Sequence, residues 1–545
     1  MRVKYNIIIM LLAVSLTASA QQNFILSAVK SEIDRSKSEL KLNNLRPPFL
    51  ISYTVADIKI TSISATAGAL VYTRDNNYRA GLSKFFVGDY VSNNSNFGNF
   101  MSVQDVSMDD DAKGIAISIW EDMDRLYKNA AEAYEAKQAA KAQQQLDAEE
   151  AALPDMEQTP PVNILLPPMK TNLDKDYWND YARKASEITN KYPDITASRV
   201  NILVRNVMSY TCNTEGTQIA VPHSYHMVHL YFNTMTDDGQ ELSRNLYIER
   251  SDFKDMPSLK TFTDSCEIII NNLLKLRNAP IINEAYSGPV MFEGIAVAET
   301  FQQYFFTNNS LIASRKPIGQ QGGGNSIETI KDKKLVSRSL SIKSLSGAET
   351  YKGHKLEGYF PVDDDGVVPD KELYLVENGV LKNMLNGRTP TKKFQHSNGH
   401  ARFSFHSHSI RTVPGNILLS SNNTFSHAEL KKKLLDAARE EDLEYAYIIR
   451  YLKPDGTPDE VYRVYLSDGH EELVRGVTYP DLNMKSFKRV LGASDKDFFY
   501  SCYNFGVLTT YIVPEALLFE ELEITRDNNI TFKQPYIAPQ PLKAE

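Results

Sequence analysis

The sequence predicts an α+β protein in which a helix-and-antiparallel-sheet domain precedes a β-rich domain. Three observations carry that prediction. Alternating apolar and polar residues, as in Ile51-Ser52-Tyr53-Thr54-Val55, read as half-buried antiparallel strands. Runs with helical spacing, Tyr177 to Tyr192 and Pro257 to Arg277, interleave with those strands. Beyond Tyr286 the helical runs nearly cease, and short strands broken by turns take over.

Taken in order, Phe24 to Leu42 places Ile25, Leu26, Val29, Ile33 and Leu40 at helical spacing and stops before Pro47-Pro48. Phe49 to Ala69 reads as antiparallel strands with Gly68 as punctuation, and Arg79 to Tyr90 continues in that style. Tyr127 to Leu153 is built from Ala, Glu, Lys and Gln without Gly or Pro, which predicts a helix about 40 Å long. Its apolar stripe is thin, so the expectation is a solvent-exposed spacer, followed by an extended linker over 154–168. Ser198 to Thr211 and Gln218 to Asn233 read as strands, with turns at Asn213-Thr214-Glu215-Gly216 and Thr236-Asp237-Asp238-Gly239. In the second half Val297 to Phe306 and Ala428 to Glu441 read as helices. Gly358-Tyr359-Phe360, Leu373 to Val380, Asn416 to Leu419, Ala446 to Leu452, Val461 to Leu466 and Gly506 to Val513 read as strands and turns. The expected domains are therefore 21–286, mixed helix and sheet, and 287–545, rich in strand.

Arg2 and Lys4, the apolar run Ile7 to Leu16 and then Ala18-Ser19-Ala20 match a cleavable export signal over residues 1–20. Export to the periplasm or the medium is expected, with the mature chain starting at Gln21. No later segment approaches the 18 or so apolar residues of a spanning helix, so no membrane span is expected. With 545 residues, 42% hydrophobic and 23% charged, the chain is ordinary for a globular protein of two to four units. A formal charge of −8 supplies no basic field for nucleic acid. Three cysteines, Cys212, Cys266 and Cys502, are too few for a disulfide framework, although one pair could close in an oxidising compartment.

No motif spacing by itself assigns chemistry. His223, His226 and His229 fall on a strand, where alternate residues face opposite sides, so surface positions are expected rather than three converging metal ligands. His406 and His408 would share a strand face, with His396 and His400 nearby, and form a weak metal candidate. Asp363-Asp364-Asp365-Gly366 lacks the spacing and terminal Glu of a calcium loop and reads as an acidic turn. Gly322-Gly323-Gly324 has no Lys-Ser/Thr and reads as a flexible loop.

Several segments in order do resemble the TldD/PmbA family, the peptidase-related proteins also called modulators of DNA gyrase. They are Pro47 to Tyr53 with Asp57, Val87-Gly88-Asp89-Tyr90, Asn213 to Gly216, and Tyr286-Ser287-Gly288-Pro289-Val290-Met291-Phe292-Glu293. Asp364 to Val367, Leu375 to Lys382, Ser397-Asn398-Gly399-His400-Ala401-Arg402, Glu472 to Gly476 and Val513 to Glu521 complete the series. The resemblance implies a β-rich C-terminal domain of TldD/PmbA type. In that family TldD-type chains carry His-Glu-x-x-x-His on a helix plus a late cysteine, and bind a metal thought to be zinc. PmbA-type chains, also called TldE, lack the ligands and pair with a TldD-type subunit. In this sequence one register sets Glu293, Gly294 and Ala298 at the motif positions, and another sets Ala298, Glu299 and Gln303 there. Neither supplies an imidazole, since no histidine occurs between His229 and His354. Cys502 stands roughly where the late cysteine is expected. Val297, Phe301, Tyr304 and Phe305 then read as helix packing.

The leading expectation is an exported, metal-less, non-catalytic partner in peptide processing. It would pair with a TldD-type catalytic subunit or with itself and handle unfolded peptides, with no cofactor of its own. The alternatives are an active zinc metallopeptidase using His400, His406 or His408 with Glu293 or Glu299, and an envelope binding protein docking through the 127–153 helix.

Overall fold

The structure, a computed structural model, describes residues 24–41, 45–97, 101–143, 148–169, 171–308, 310–318, 326–404, 409–453, 456–479 and 482–533. The proposed export signal, the glycine-rich loop 319–325, His406 and His408 lie outside the described residues.

The first helix, α1 (24–39), buries Ile25, Val29 and Ile33. It leads into a long hairpin of β1 (Pro48–Thr66) and β2 (Ala69–Val87). The sequence suggested several strands here, but the chain runs straight for 19 residues before it turns. The turn falls at Ala67-Gly68, both with positive φ (48° and 85°), the two-residue geometry that matches strand twist. Next come β3 (Met101–Asp105), α2 (Ala112–Gln143), α3 (Ala148–Ala151), β4 (Asn163–Leu165) and α4 (Lys175–Glu187). The remaining strands are β5 (Ile195–Asn213), β6 (Gln218–Pro222), β7 (Tyr225–Met235) and β8 (Glu241–Arg250), and α5 (Leu259–Arg277) closes this half. The sheet order is β3-β2-β1-β5-β6-β4, with β7 paired to β5 and β8 to β7.

Alternation puts Ile51, Tyr53, Val55, Ile63 and Ala65 of β1 on one face, and all the larger helices cover it. One end packs on α1 and α2, the other on α4 and α5. The exposed spacer expected over 127–153 is therefore incorrect. The helix begins earlier, at Ala112, and Ile115, Ile119, Met123, Leu126, Ala130 and Tyr134 form a buried stripe at helical spacing. Small Ala130 and Ala131 let the helix approach the sheet, which a search for large apolar residues overlooks. The fully buried Lys137 ammonium also fastens it, donating to Asp155 (2.8 Å) and to Asn93 O (2.8 Å). Burial pushes that ammonium down to about 8, against the pull of Asp155. The connector 154–168 is not free either, since Asp155 and Met156 are buried and β4 lies parallel to β6. His226 corrects the surface assignment of the three strand histidines: it is fully buried, edge-on to Phe253.

In the second half, β9 (Tyr286–Glu293) lies within an eight-stranded sheet, between Ala516–Arg526 and Tyr445–Leu452. A six-stranded sheet runs Val380–Leu381, Leu373–Glu377, Leu340–Ser344, Asn416–Ser421, Val507–Pro514, Asp497–Asn504. A core that includes Phe301, Phe305, Phe306, Phe487 and Tyr511 joins the two. Gly358-Tyr359-Phe360 forms a turn rather than a strand. Gly358 N donates to Asn416 Oδ1 (2.9 Å), and a Cβ there would stand 2.6 Å from Gly415 O. The helix His427–Glu440 opens on a reciprocal Ser426/Glu429 cap. Among the described residues no helix is long and apolar enough to cross a membrane. Cys212, Cys266 and Cys502 are free and buried, so the pairing left open by the sequence does not occur.

Candidate functional site

The region resembling the motif follows β9 directly. Gly294 takes φ 54°, ψ −120°, a conformation closed to side-chain-bearing residues, and its N–H donates to Glu515 O (2.7 Å). This turns the chain into α6 (Ile295–Gln302), which passes into a π-helical turn over Gln303–Thr307. Ala298 is fully buried and brings no functional group. Glu299 and Gln302, three apart on the helix, meet Tyr500 and Cys502, two apart on one face of a strand. Tyr500 Oη donates to the Glu299 carboxyl, and Cys502 Sγ lies 3.2 Å from Gln302 Oε1. Burial raises the Glu299 carboxyl from its ordinary value and holds the Cys502 thiol and Tyr500 phenol well above theirs.

The other motif candidates go elsewhere. Glu293 is clamped by Arg450 Nε (2.6 Å) and His427 Nε2 (2.8 Å), away from the α6 cluster. Gln303 starts the π-helical turn. His400 is a satisfied core histidine. Its Nε2 meets Ser344 Oγ (2.9 Å) and Ser346 Oγ (3.1 Å), its Nδ1 meets Asn398 Oδ1 (2.9 Å), and burial pushes it down to about 3. Zinc would need several imidazole, thiolate or carboxylate donors at one point. The α6 cluster offers a carboxyl, a carboxamide and one thiol, and those residues do not fit the metal. Among the described residues no group of three or more His, Cys, Asp and Glu could hold one.

Sequence reasoning missed how the recognisable segments cooperate. Glu215, in the Asn213-Thr214-Glu215-Gly216 turn, accepts from Tyr90 Oη (2.7 Å) and from both Arg388 terminal nitrogens (2.9 and 2.6 Å). Arg388 also donates to Glu157 O (3.0 and 2.8 Å). Lys84 of β2 reaches Asp365 Oδ1 (2.6 Å), and Tyr503 N donates to Glu249 Oε2 (2.8 Å). These bonds hold the polar face of the N-terminal sheet against the second half. A cleft of about 450 Å³ lies between them, lined by Arg205, His223 and Tyr225 on one side and Tyr359, Arg402 and Tyr503 on the other. A smaller hollow of about 250 Å³ adjoins the same acidic turn, and Asp364 lines both.

The second half of this architecture, with the helix after β9, has known counterparts. Residues 286–438 match the family described as the PmbA/TldA metallopeptidase C-terminal domain. Three solved structures share the fold. A candidate modulator of a DNA gyrase from Thermotoga maritima matches with TM-score 0.59 and 14% identity, over 91% of this chain and 100% of that one. TldE from Thermococcus kodakarensis matches with TM-score 0.55 and 12% identity, again over 91% and 100%. A candidate modulator of DNA gyrase from Bacteroides thetaiotaomicron matches with TM-score 0.60 and 9% identity, over 92% and 98%. No curated protein matches. Residues 286–438 thus match the C-terminal domain of the PmbA/TldD family, and the chain as a whole shares the fold of these structures.

Proposed function

We propose that this chain is an exported, non-catalytic subunit of TldE type in peptide proteolysis or processing, pairing with a TldD-type catalytic subunit or with a second copy of itself. One observation carries the reading. At the helix where active relatives place their ligands, this chain has Ala298, Glu299, Gln302 and Gln303, and Cys502 meets the Gln302 carboxamide there. The fold shared with TldE is in keeping with it. A metallopeptidase built on His400 loses support because both nitrogens of that ring are engaged. A docking arm over 127–153 loses support because that helix is packed against the sheet.

The test is purification from the native envelope without chelators. Metal content, hydrolysis of an unfolded peptide, co-purifying chains and the mature N-terminus are then measured. The expected result is an N-terminus at Gln21, no stoichiometric zinc, and no hydrolysis until a TldD-type subunit is added. One zinc per chain, lost together with peptidase activity on chelation, overturns the reading.

A further inference from the structure

The interdomain cleft contains a buried cation that its surroundings leave short of partners. Arg402 follows Ala401, whose N–H donates to Asp363 Oδ2 (3.0 Å), and precedes Phe403, whose N–H donates to Asp364 Oδ2 (2.7 Å). The acidic turn thus fixes the backbone on both sides of the arginine. Its guanidinium lies 4.0 Å over the Phe360 ring, and the residue is only 7% exposed. Asp364 Oδ2 stands 3.8 Å from Nε, too far for a hydrogen bond, and Nε has no hydrogen-bond partner among the described residues.

Two further groups face the same space. Arg205 lies beside the mutually packed rings of Tyr225 and Tyr503 (5.1 and 4.8 Å from their centres) and donates to Tyr503 Oη. His223 Nε2 is buried without a hydrogen-bond partner, and burial holds that ring down to about 4, so it is neutral near pH 7. Buried polar atoms are almost always satisfied by protein, water or a bound group, and here two of them face one cleft. A guanidinium fork matches the two oxygens of a planar carboxylate. Asp252, Glu349, Glu357 and Asp364 also line the cleft, against Lys355, so a dianion would be repelled, and a single carboxylate must pair directly with Arg402 to be held. The aromatic rings accept an uncharged, partly apolar body, and about 450 Å³ is within the usual range of ligand clefts.

We propose that this cleft binds a monocarboxylate on an uncharged, partly aromatic body, such as the free C-terminus of a short peptide, with Arg402 receiving the carboxylate. The proposal goes beyond the partner-subunit reading and stands on the cleft alone. Zinc in the protein would overturn that reading and leave this proposal standing, and a cleft indifferent to carboxylates would do the reverse.

The experiment is calorimetric titration of the full chain with N-acetyl-Ala-Ala-Phe, its C-terminal amide, and 3-phenylpropionate. The free acid is expected to bind about tenfold or more tightly than the amide. Arg402→Met is expected to lose that preference while its near-ultraviolet circular dichroism stays that of the parent. Phenylpropionate binding as tightly as the peptide identifies a small-acid site, and tight binding by the peptide alone identifies a peptide end. Equal binding of acid and amide, no binding of any probe at millimolar concentration, or an Arg402→Met protein that keeps the preference overturns the proposal. Should Arg402→Met fail to fold, the acid-to-amide ratio of the parent chain and of Arg402→Lys decides, and a parent ratio of one overturns it.

Discussion

Glu215→Gln should unfasten the two halves of the molecule. The Glu215 carboxylate accepts from Tyr90 Oη, from Asn213 Nδ2 (3.0 Å) and from two nitrogens of Arg388, so its acceptor capacity is used. The Glu215 side chain is 9% exposed and that of Arg388 6%. A carboxamide in the same place turns one acceptor into an N–H₂ that faces other donors, and leaves Arg388 charged and buried. Cutting one partner from such a pair costs about 3 kcal/mol or more. Tyr90→Phe, which removes a single hydrogen bond, should cost about 1 kcal/mol. Because the groups share one carboxylate, Glu215→Gln with Arg388→Met should cost less than the two single changes summed, by about 1–3 kcal/mol. Urea unfolding followed by tryptophan fluorescence measures the loss, and limited proteolysis of the 154–168 connector reports loosening at the same place. A Glu215→Gln protein within about 1 kcal/mol of the parent, together with strictly additive changes, would refute the clasp.

Two further outcomes follow from buried groups elsewhere. Burial pushes His226 down to about 4 from 6.5, and neither ring nitrogen has a hydrogen-bond partner among the described residues. The unfolded chain takes up that proton near pH 6.5 and the folded chain only near 4, so this contribution is complete above 6.5 and is lost as pH falls towards 4. It amounts to about 3 kcal/mol, and His226→Phe should flatten the acid limb of the stability profile; an unchanged slope of urea midpoint against pH between about 4.5 and 7 refutes the assignment. The thiols give the other outcome. Burial raises Cys212 and Cys266 to about 12 and Cys502 well above its ordinary value. Iodoacetamide at pH 8 should label none of them in the folded chain and all three after denaturation, read by mass spectrometry; rapid labelling of Cys502 would contradict its packing against Gln302.

Local patterns made the α+β class and most elements legible, because alternation and helical spacing are properties of neighbouring residues. The placement of α2 was not, since its buried stripe depends on Ile115, Ile119 and Met123 upstream of the alanine-rich run, and on alanines that bury by being small. The segments Val87 to Tyr90 and Asn213 to Gly216 were recognisable as motifs, yet their role requires Arg388, 173 residues beyond Glu215. His400 looked like a ligand because Ser344, at the end of a distant strand, and Ser346, in the turn after it, occupy its ring. That no histidine occurs between His229 and His354 could be read directly. The meeting of Cys502 with Gln302 could not, because it depends on how the helix and a late strand cross. Arg402 gave no warning either: whether an arginine is left short of partners depends on everything folded around it.

The pairing of β9 has a consequence for synthesis. This strand, with Val290, Met291 and Phe292 at its centre, acquires one neighbour from Tyr445–Leu452 and the other from Ala516–Arg526, close to the end of the described chain. During translation it therefore waits on the order of ten seconds or more without its lateral partners, at ordinary elongation rates. A nascent chain in that interval presents a bare apolar strand with unpaired backbone, the kind of edge that sticks to other chains. Any shortened product ending before Ala516 keeps at least one edge of that strand permanently unpaired. Holding chaperones would have to act on this protein late, and a premature stop near its end would be as damaging as one in its middle.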